Sequence, residues 1–229
     1  MNSIRIAIAG AGRMGQALAA SIDGLPDLVL AGVWHRGADL DALLKKADVV
    51  IDFSLPQGTE AVLAAAIGNQ VPLVCGVSGL DDKLTRRLHE AALHLPLVYD
   101  RNMSLGIAVL ERSVREAATT LGTAFEVVIA EVHHVHKKDA PSGTALKLGE
   151  AVAEARGEAS TDRIKFESER RGEVPGDHQV TMRTPTETLA FSHSVTTRQV
   201  FVDGALRAAR WVVGQPPGLY AMQDVLFRP

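Results

Sequence analysis

Through the first part of the chain, short and nearly all-apolar runs alternate with amphipathic ones. Residues 4–9, 28–34, 48–54, 71–75 and 95–99 are rich in Val, Ile and Leu, a pattern that suits strands buried on both faces. Residues 16–22, 39–46, 57–67 and 84–93 read as helices. Strand–helix alternation of this kind predicts a doubly wound parallel sheet. The pattern then changes. Residues 107–121 form a long amphipathic helix with Ile107, Leu110, Val114, Ala117, Ala118 and Leu121 on one face; a strand at 125–132 and a helix at 146–156 follow. Weaker alternation at 164–169, 178–184, 187–193 and 199–202 predicts a mixed or antiparallel sheet in a second, α+β domain. A helix at 206–213 and a short closing element at 218–227 complete the chain. The expected plan is an α/β domain over residues 1–103, on which 206–229 packs back, and a second domain over 104–205.

The glycines after the first strand make the first domain more specific. Gly10, Ala11, Gly12, Arg13, Met14 and Gly15 spell Gly-x-Gly-x-x-Gly with a strand before and a helix after, the context of a Rossmann-type dinucleotide site. The glycines permit a tight turn, close approach of a pyrophosphate and close helix–strand packing. The helix start adds free N–H groups and a positive dipole end. At the end of the second strand stand His35 and Arg36, where an acid for the ribose 2′-OH is usual. These two basic groups, with Arg13, favour NADPH, and NADH is the alternative. Phe53 ends the third strand, beside the crevice where open α/β sheets bind ligands. Gly76, Val77 and Ser78 leave the fourth strand in a turn that either meets the nicotinamide end of a cofactor or is a plain strand–helix connection.

The densest chemistry lies from Glu131 to Thr144, which reads Glu-Val-His-His-Val-His-Lys-Lys-Asp-Ala-Pro-Ser-Gly-Thr. Ser142 suits a helix N-cap, and the N–H groups of Gly143 and Thr144 would then form a site for a carboxylate or phosphate. Lys137 is within loop reach of the same anion. His133 and His134 close a strand, and either imidazole is a candidate general acid or base. His136, Lys138 and Asp139 read as support. The cluster lacks cysteine and the helical spacing of paired histidine ligands, so no metal site is expected.

Composition narrows the class further. At 229 residues the chain is long enough for one large domain or two modest ones. Its 46% hydrophobic and 22% charged residues are ordinary for a soluble protein, and a net charge of −3 gives no reason to expect a nucleic-acid or membrane partner. A single cysteine, Cys75, excludes an internal disulfide and a cysteine-rich zinc site. With no leader-like segment and no apolar stretch of membrane-spanning length, a cytoplasmic protein acting on a small molecule is expected.

Two motifs carry a family resemblance: Gly-Ala-Gly-Arg-Met-Gly near the start, and Glu-Val-His-His-Val-His-Lys-Lys-Asp-Ala-Pro-Ser-Gly-Thr-Ala-Leu. Val-Ile-Asp-Phe-Ser, Gly-Val-Ser-Gly, Asn-Met-Ser-Leu-Gly and Gly-Ala-Leu-Arg-Ala-Ala-Arg-Trp support them across nearly the whole chain. With these the chain resembles the 4-hydroxy-tetrahydrodipicolinate reductase (dihydrodipicolinate reductase) family of lysine and diaminopimelate biosynthesis. The resemblance implies a Rossmann domain, a substrate-binding and oligomerisation domain, a homotetramer, and reduction of a cyclic dicarboxylate with NAD(P)H. It implies His133 as proton donor or acceptor and Lys137 as proton donor, with His134, Gly143 and Thr144 holding carboxylates. It places the cofactor along Gly10 to Gly15, Gly76 to Ser78, and the turn of Asp100, Arg101, Asn102 and Met103. Val135 departs from the arginine often found there, and the segment before Asp48 is shorter than usual, so one strand–helix piece is trimmed. The rival readings are another two-domain NADP-dependent dehydrogenase and a non-catalytic NADP-sensing Rossmann protein; neither needs the histidine–lysine cluster joined to Pro-Ser-Gly-Thr.

Overall fold

The computed structural model describes residues 3–228. In chain order its elements are β1 (Ile4–Ala9), α1 (Arg13–Ile22), β2 (Leu28–Trp34), α2 (Leu40–Leu44), β3 (Val49–Asp52), α3 (Pro56–Asn69), β4 (Leu73–Cys75), α4 (Asp82–Ala92) and β5 (Pro96–Tyr99). There follow α5 (Leu105–Leu121), β6 (Glu126–His133), α6 (Gly143–Ala155), β7 (Ile164–Arg170), β8 (Asp177–Arg183), β9 (Thr188–His193), α7 (Gln199–Val212), β10 (Gly218–Tyr220) and α8 (Met222–Phe227). The chain divides into two compact units, one running up to Leu105 and resuming at Gln199, the other Gly106–Arg198.

The first unit holds a six-stranded sheet in the order β10-β5-β4-β3-β1-β2, parallel throughout. Ile6, Ile8, Val50, Ile51, Leu73 and Val74 have no exposed surface, and each such side chain contributes about 1.5–3 kcal/mol by leaving water. The chain goes from β1 to β2 on one side and to β3 on the other, which makes the β1–β3 gap the switch point where such sheets bind ligands. β3 stops at Asp52, short of the apolar run that continues to Ser54, because the buried Asp52 carboxylate accepts the Ser54 N–H at 2.8 Å and turns the chain.

Residues 199–202 are not a strand. They open α7, a single helix from Gln199 in which Val202, Ala205, Leu206, Ala209 and Val212 are buried at a helical period. Val200 and Val202 favour a strand locally, but burial of the apolar stripe, with Gln199 donating to Asp203 one turn on at 2.9 Å, decides for helix. Gly204 lets this helix close on the Met103 backbone: a Cβ there would lie 1.7 Å from the Met103 carbonyl oxygen.

The second unit is built on a four-stranded sheet, β7-β6-β8-β9. β7 runs parallel to β6, while β8 and β9 are antiparallel, so the sheet is mixed. One face packs Val127, Ile129, Val180 and Met182 against Ile107, Leu110 and Val114 of α5 and Ala145, Leu148 and Val152 of α6. Strand side chains alternate, so Glu131 and His133 follow Val127 and Ile129 on that same face. The sequence thus ends an apolar stripe with a carboxylate and an imidazole.

Candidate active site

In the first unit the glycine loop is shaped by three different constraints. Gly10 has φ +108°, and a Cβ there would press on the Phe53 carbonyl at 2.7 Å, at the β1–β3 switch point. A Cβ on Gly15 would lie 1.8 Å from the Gly10 oxygen, so α1 can dock on the loop only without a side chain. Nothing stands within 4 Å of the Cβ position of Gly12, which leaves the α1 N-terminus open to a phosphate. Arg13, His35 and Arg36 are exposed around this loop and the end of β2. The Phe53 ring covers Gly76, whose Cβ would meet it at 2.6 Å, and Ser78 is exposed beyond. In the turn after β5, Arg101 is exposed and Asn102 half-buried, while the side chains of Asp100 and Met103 point inward. Asp100 accepts the N–H groups of Asn102 and Met222, each at 3.2 Å, and so braces the turn. Val77 is likewise buried, so Val77 and Met103 offer a ligand their backbone alone.

In the second unit β6 delivers Glu131 and His133 into a buried cluster. Glu131 is 2% exposed. Its Oε1 accepts both Arg170 guanidinium Nη groups at 3.1 Å and the Ser142 N–H at 3.3 Å, while Oε2 contacts His133 Nδ1. Burial works against the Glu131 charge, but the hydrogen bond from Ser168, the neighbouring His133, and the donors of Arg170 and Ser142 hold its carboxyl below the usual range. The His133 imidazole is pushed down, by burial first, with Glu131 opposing and Lys137 and Arg170 adding to the depression. The His178 ring meets it edge-on at 5.1 Å and is pushed down to about 3, chiefly by burial.

Arg170 also reaches the loop after β6, donating to the carbonyls of Lys137 and Asp139. That loop places Lys137 Nζ 2.8 Å from the Asp139 carboxylate. Ser142 caps α6 by accepting the Ala145 N–H at 3.1 Å, and its hydroxyl also contacts His178 Nε2 at 3.3 Å. Gly143 and Thr144 therefore form the first turn of α6. His134 is half-buried beside His136, ring to ring at 6.0 Å, and its imidazole is pushed down by burial first and then by Arg198. His136 pairs with Glu173 on the surface, and Val135 and Lys138 are exposed. Glu131, His133 and His178 bring ligand-type atoms within 4.8 Å of one another, but Glu131 already has the Arg170 guanidinium as its cation.

His133, Lys137, Gly143 and Thr144 thus fall on one strand end, one loop and one helix start. Glu131, Arg170, Gly176 and His178 were not among the expected site residues. The first carried a signal, since it sits two residues before His133 and shares its face. Arg170 and His178 arrive through pairing, with His133 opposite Arg170 and Glu131 opposite His178, and Gly176 immediately precedes β8; single-chain spacing reveals none of this.

Two family models match the chain: the dihydrodipicolinate reductase N-terminus over residues 4–103 and its C-terminus over residues 106–226. A 4-hydroxy-tetrahydrodipicolinate reductase of Zymomonas mobilis subsp. mobilis is 37% identical over 248 residues, covering 98% of each chain. Among solved structures, the dipicolinate-bound dihydrodipicolinate reductase of Paenisporosarcina sp. TG-14 superposes with TM-score 0.81 at 23% identity, covering 98% of this chain and 99% of its own. An engineered D-amino acid dehydrogenase bound to NADP+ shares the fold at TM-score 0.62 and 14% identity, covering 100% of this chain and 97% of its own.

Proposed function

We propose, for a chain that belongs to the dihydrodipicolinate reductase family, the reaction of that family and a role in it for each residue of the site. The reaction is reduction of 4-hydroxy-tetrahydrodipicolinate to tetrahydrodipicolinate with NAD(P)H, a step of lysine and diaminopimelate biosynthesis. The observation that carries the assignment of roles is the meeting of His133, Lys137 and the capped N-terminus of α6 at one end of β6.

The first unit fits a nicotinamide dinucleotide. Gly12 is open, the α1 N-terminus is uncovered there, and Gly10 and Gly15 fix the loop around it. When bound, that cofactor supplies the hydride. His35, Arg36 and Arg13 supply positive charge or hydrogen bonds where a 2′-phosphate would lie, which supports NADPH over NADH. Phe53, Gly76, Val77, Ser78 and the turn from Asp100 to Met103 line the rest of the site. In the second unit the first N–H groups of α6, at Gly143 and Thr144, hold one carboxylate of the substrate, and His134 holds the other. Lys137 exchanges Asp139 for the dianion, and Lys137 or His133 protonates the ring carbon of the enamine-like product. Val135 leaves this chain without the arginine charge usual beside the dianion.

Membership of the family supports a homotetramer; the sheet face away from α5 and α6 mixes Val128, Ala130, Val132 and Ala190 with Thr181, Gln179 and Ser192. Among the described residues no helix is long and apolar enough to cross a membrane. Together with the single, buried Cys75, this supports a place in the cytoplasm.

Steady-state kinetics of Lys137→Met test the role assigned to the lysine. Turnover should fall by about 10²–10⁴-fold while NADPH affinity is retained. Near-normal turnover would remove Lys137 from the mechanism.

A further inference from the structure

We propose that Glu131 is the positioning residue of the acid: it holds His133 with the Nδ1 proton on its carboxylate, so that the proton delivered to the substrate is the one on Nε2. The proposal rests on His133 acting as the acid, and deepens that reading.

The geometry leaves Glu131 little choice. Arg170 and the Ser142 N–H occupy Oε1, which turns Oε2 to His133 Nδ1. A carboxylate facing a guanidinium and a backbone N–H is ionised, and an ionised carboxylate only accepts. The ring nitrogen against it must therefore carry the proton, which fixes both the tautomer and the ring's orientation. The opposite edge of the ring is kept clear. A Cβ at residue 176 would stand 3.0 Å from His133 Nε2, and glycine occupies that position.

The charged and titratable groups facing His133 are Glu131 on its own strand, Arg170 on β7, His178 on β8 and Lys137 in the following loop. Arg170 and Lys137 oppose a charge on the imidazole, His178 stays neutral through burial, and Glu131 alone favours the imidazolium. In the transfer, the electron pair of the enamine forms a C–H bond as the Nε2–H bond breaks. The imidazolium becomes neutral imidazole, still donating Nδ1–H to Glu131, and regains its proton from solvent.

Three measurements on the full chain test this: the pH profile of kcat/KM for wild type, Glu131→Gln and His133→Gln, the NADPH affinity of each, and the ¹⁵N shifts of the His133 ring in the wild-type protein. In Glu131→Gln, Arg170 and Ser142 keep the amide oxygen at Oε1, so the NH₂ group faces Nδ1 and forces the proton onto Nε2. The expected result is turnover lowered about 10-fold or more, with the alkaline limb moved about one to three pH units lower and NADPH affinity unchanged. The wild-type ring should show a proton on Nδ1 in its neutral form, a result that needs no variant to fold. A neutral ring protonated on Nε2 would overturn the proposal, as would a Glu131→Gln profile like wild type beside an inactive His133→Gln. An active His133→Gln with an unshifted profile would instead overturn the reading of His133 as the acid.

Discussion

His178 shows how far a single residue's surroundings set its chemistry. Its imidazole is pushed down to about 3, by burial first and then by the adjacent His133. Unfolded, it takes up a proton near pH 6.5. Between these values the unfolded state therefore holds the extra proton, and stability falls as pH is lowered, by at most about 1.4 kcal/mol per pH unit. The carboxylate of Glu131, held low, adds its own loss only below about pH 4.3. Urea midpoints between about pH 6.5 and 4.5 should thus decline less steeply in His178→Gln than in wild type. Equal slopes would mean that His178 is not held neutral by the fold. At this scale the sequence exposed much of the candidate site. Ser142 could be read as a cap from the Pro-Ser-Gly-Thr run, and His133 and Lys137 from the density of titratable groups. Arg170 and His178 could not be read, because nothing in their own neighbourhoods marks them and only strand pairing brings them to Glu131.

Element by element, legibility followed length and burial. β1, β3 and β4, buried on both faces, announce themselves as apolar runs. β10 is as short as β4 but only partly buried, so it leaves no apolar run, and its pairing with β5 comes from the fold. The start of α7 resembles a strand in sequence because two valines in four residues outweigh helix propensity until the buried stripe is known. Gly204, inside that helix, gives a sharp test. Alanine is better than glycine in a helix interior by about 1 kcal/mol, so propensity alone predicts that Gly204→Ala stabilises. The added Cβ, however, would fall 1.7 Å from the Met103 carbonyl oxygen, and such overpacking costs about 1–3 kcal/mol. Thermal unfolding should show a lower Tm for Gly204→Ala; a higher one would mean that α7 does not close on that backbone.

For the whole molecule, the parallel sheet of the first unit was predictable in kind from strand–helix alternation. Its order is consistent with the short segment between β2 and Asp48: among the described residues no strand lies beyond β2, where the dinucleotide fold usually has one. The second unit's sheet was foreseen as mixed or antiparallel, but the parallel register of β7 on β6 left no mark in the pattern. The proposed function draws on both units: a glycine loop at a helix start in the first, and His133 and Lys137 near the start of α6 in the second. The most direct test supplies 4-hydroxy-tetrahydrodipicolinate, generated in place by the synthase that makes it, and follows the absorbance of NADPH and of NADH in separate reactions. The account predicts substrate-dependent oxidation of the cofactor matched by tetrahydrodipicolinate formation, faster with NADPH than with NADH. Oxidation of neither cofactor would contradict it.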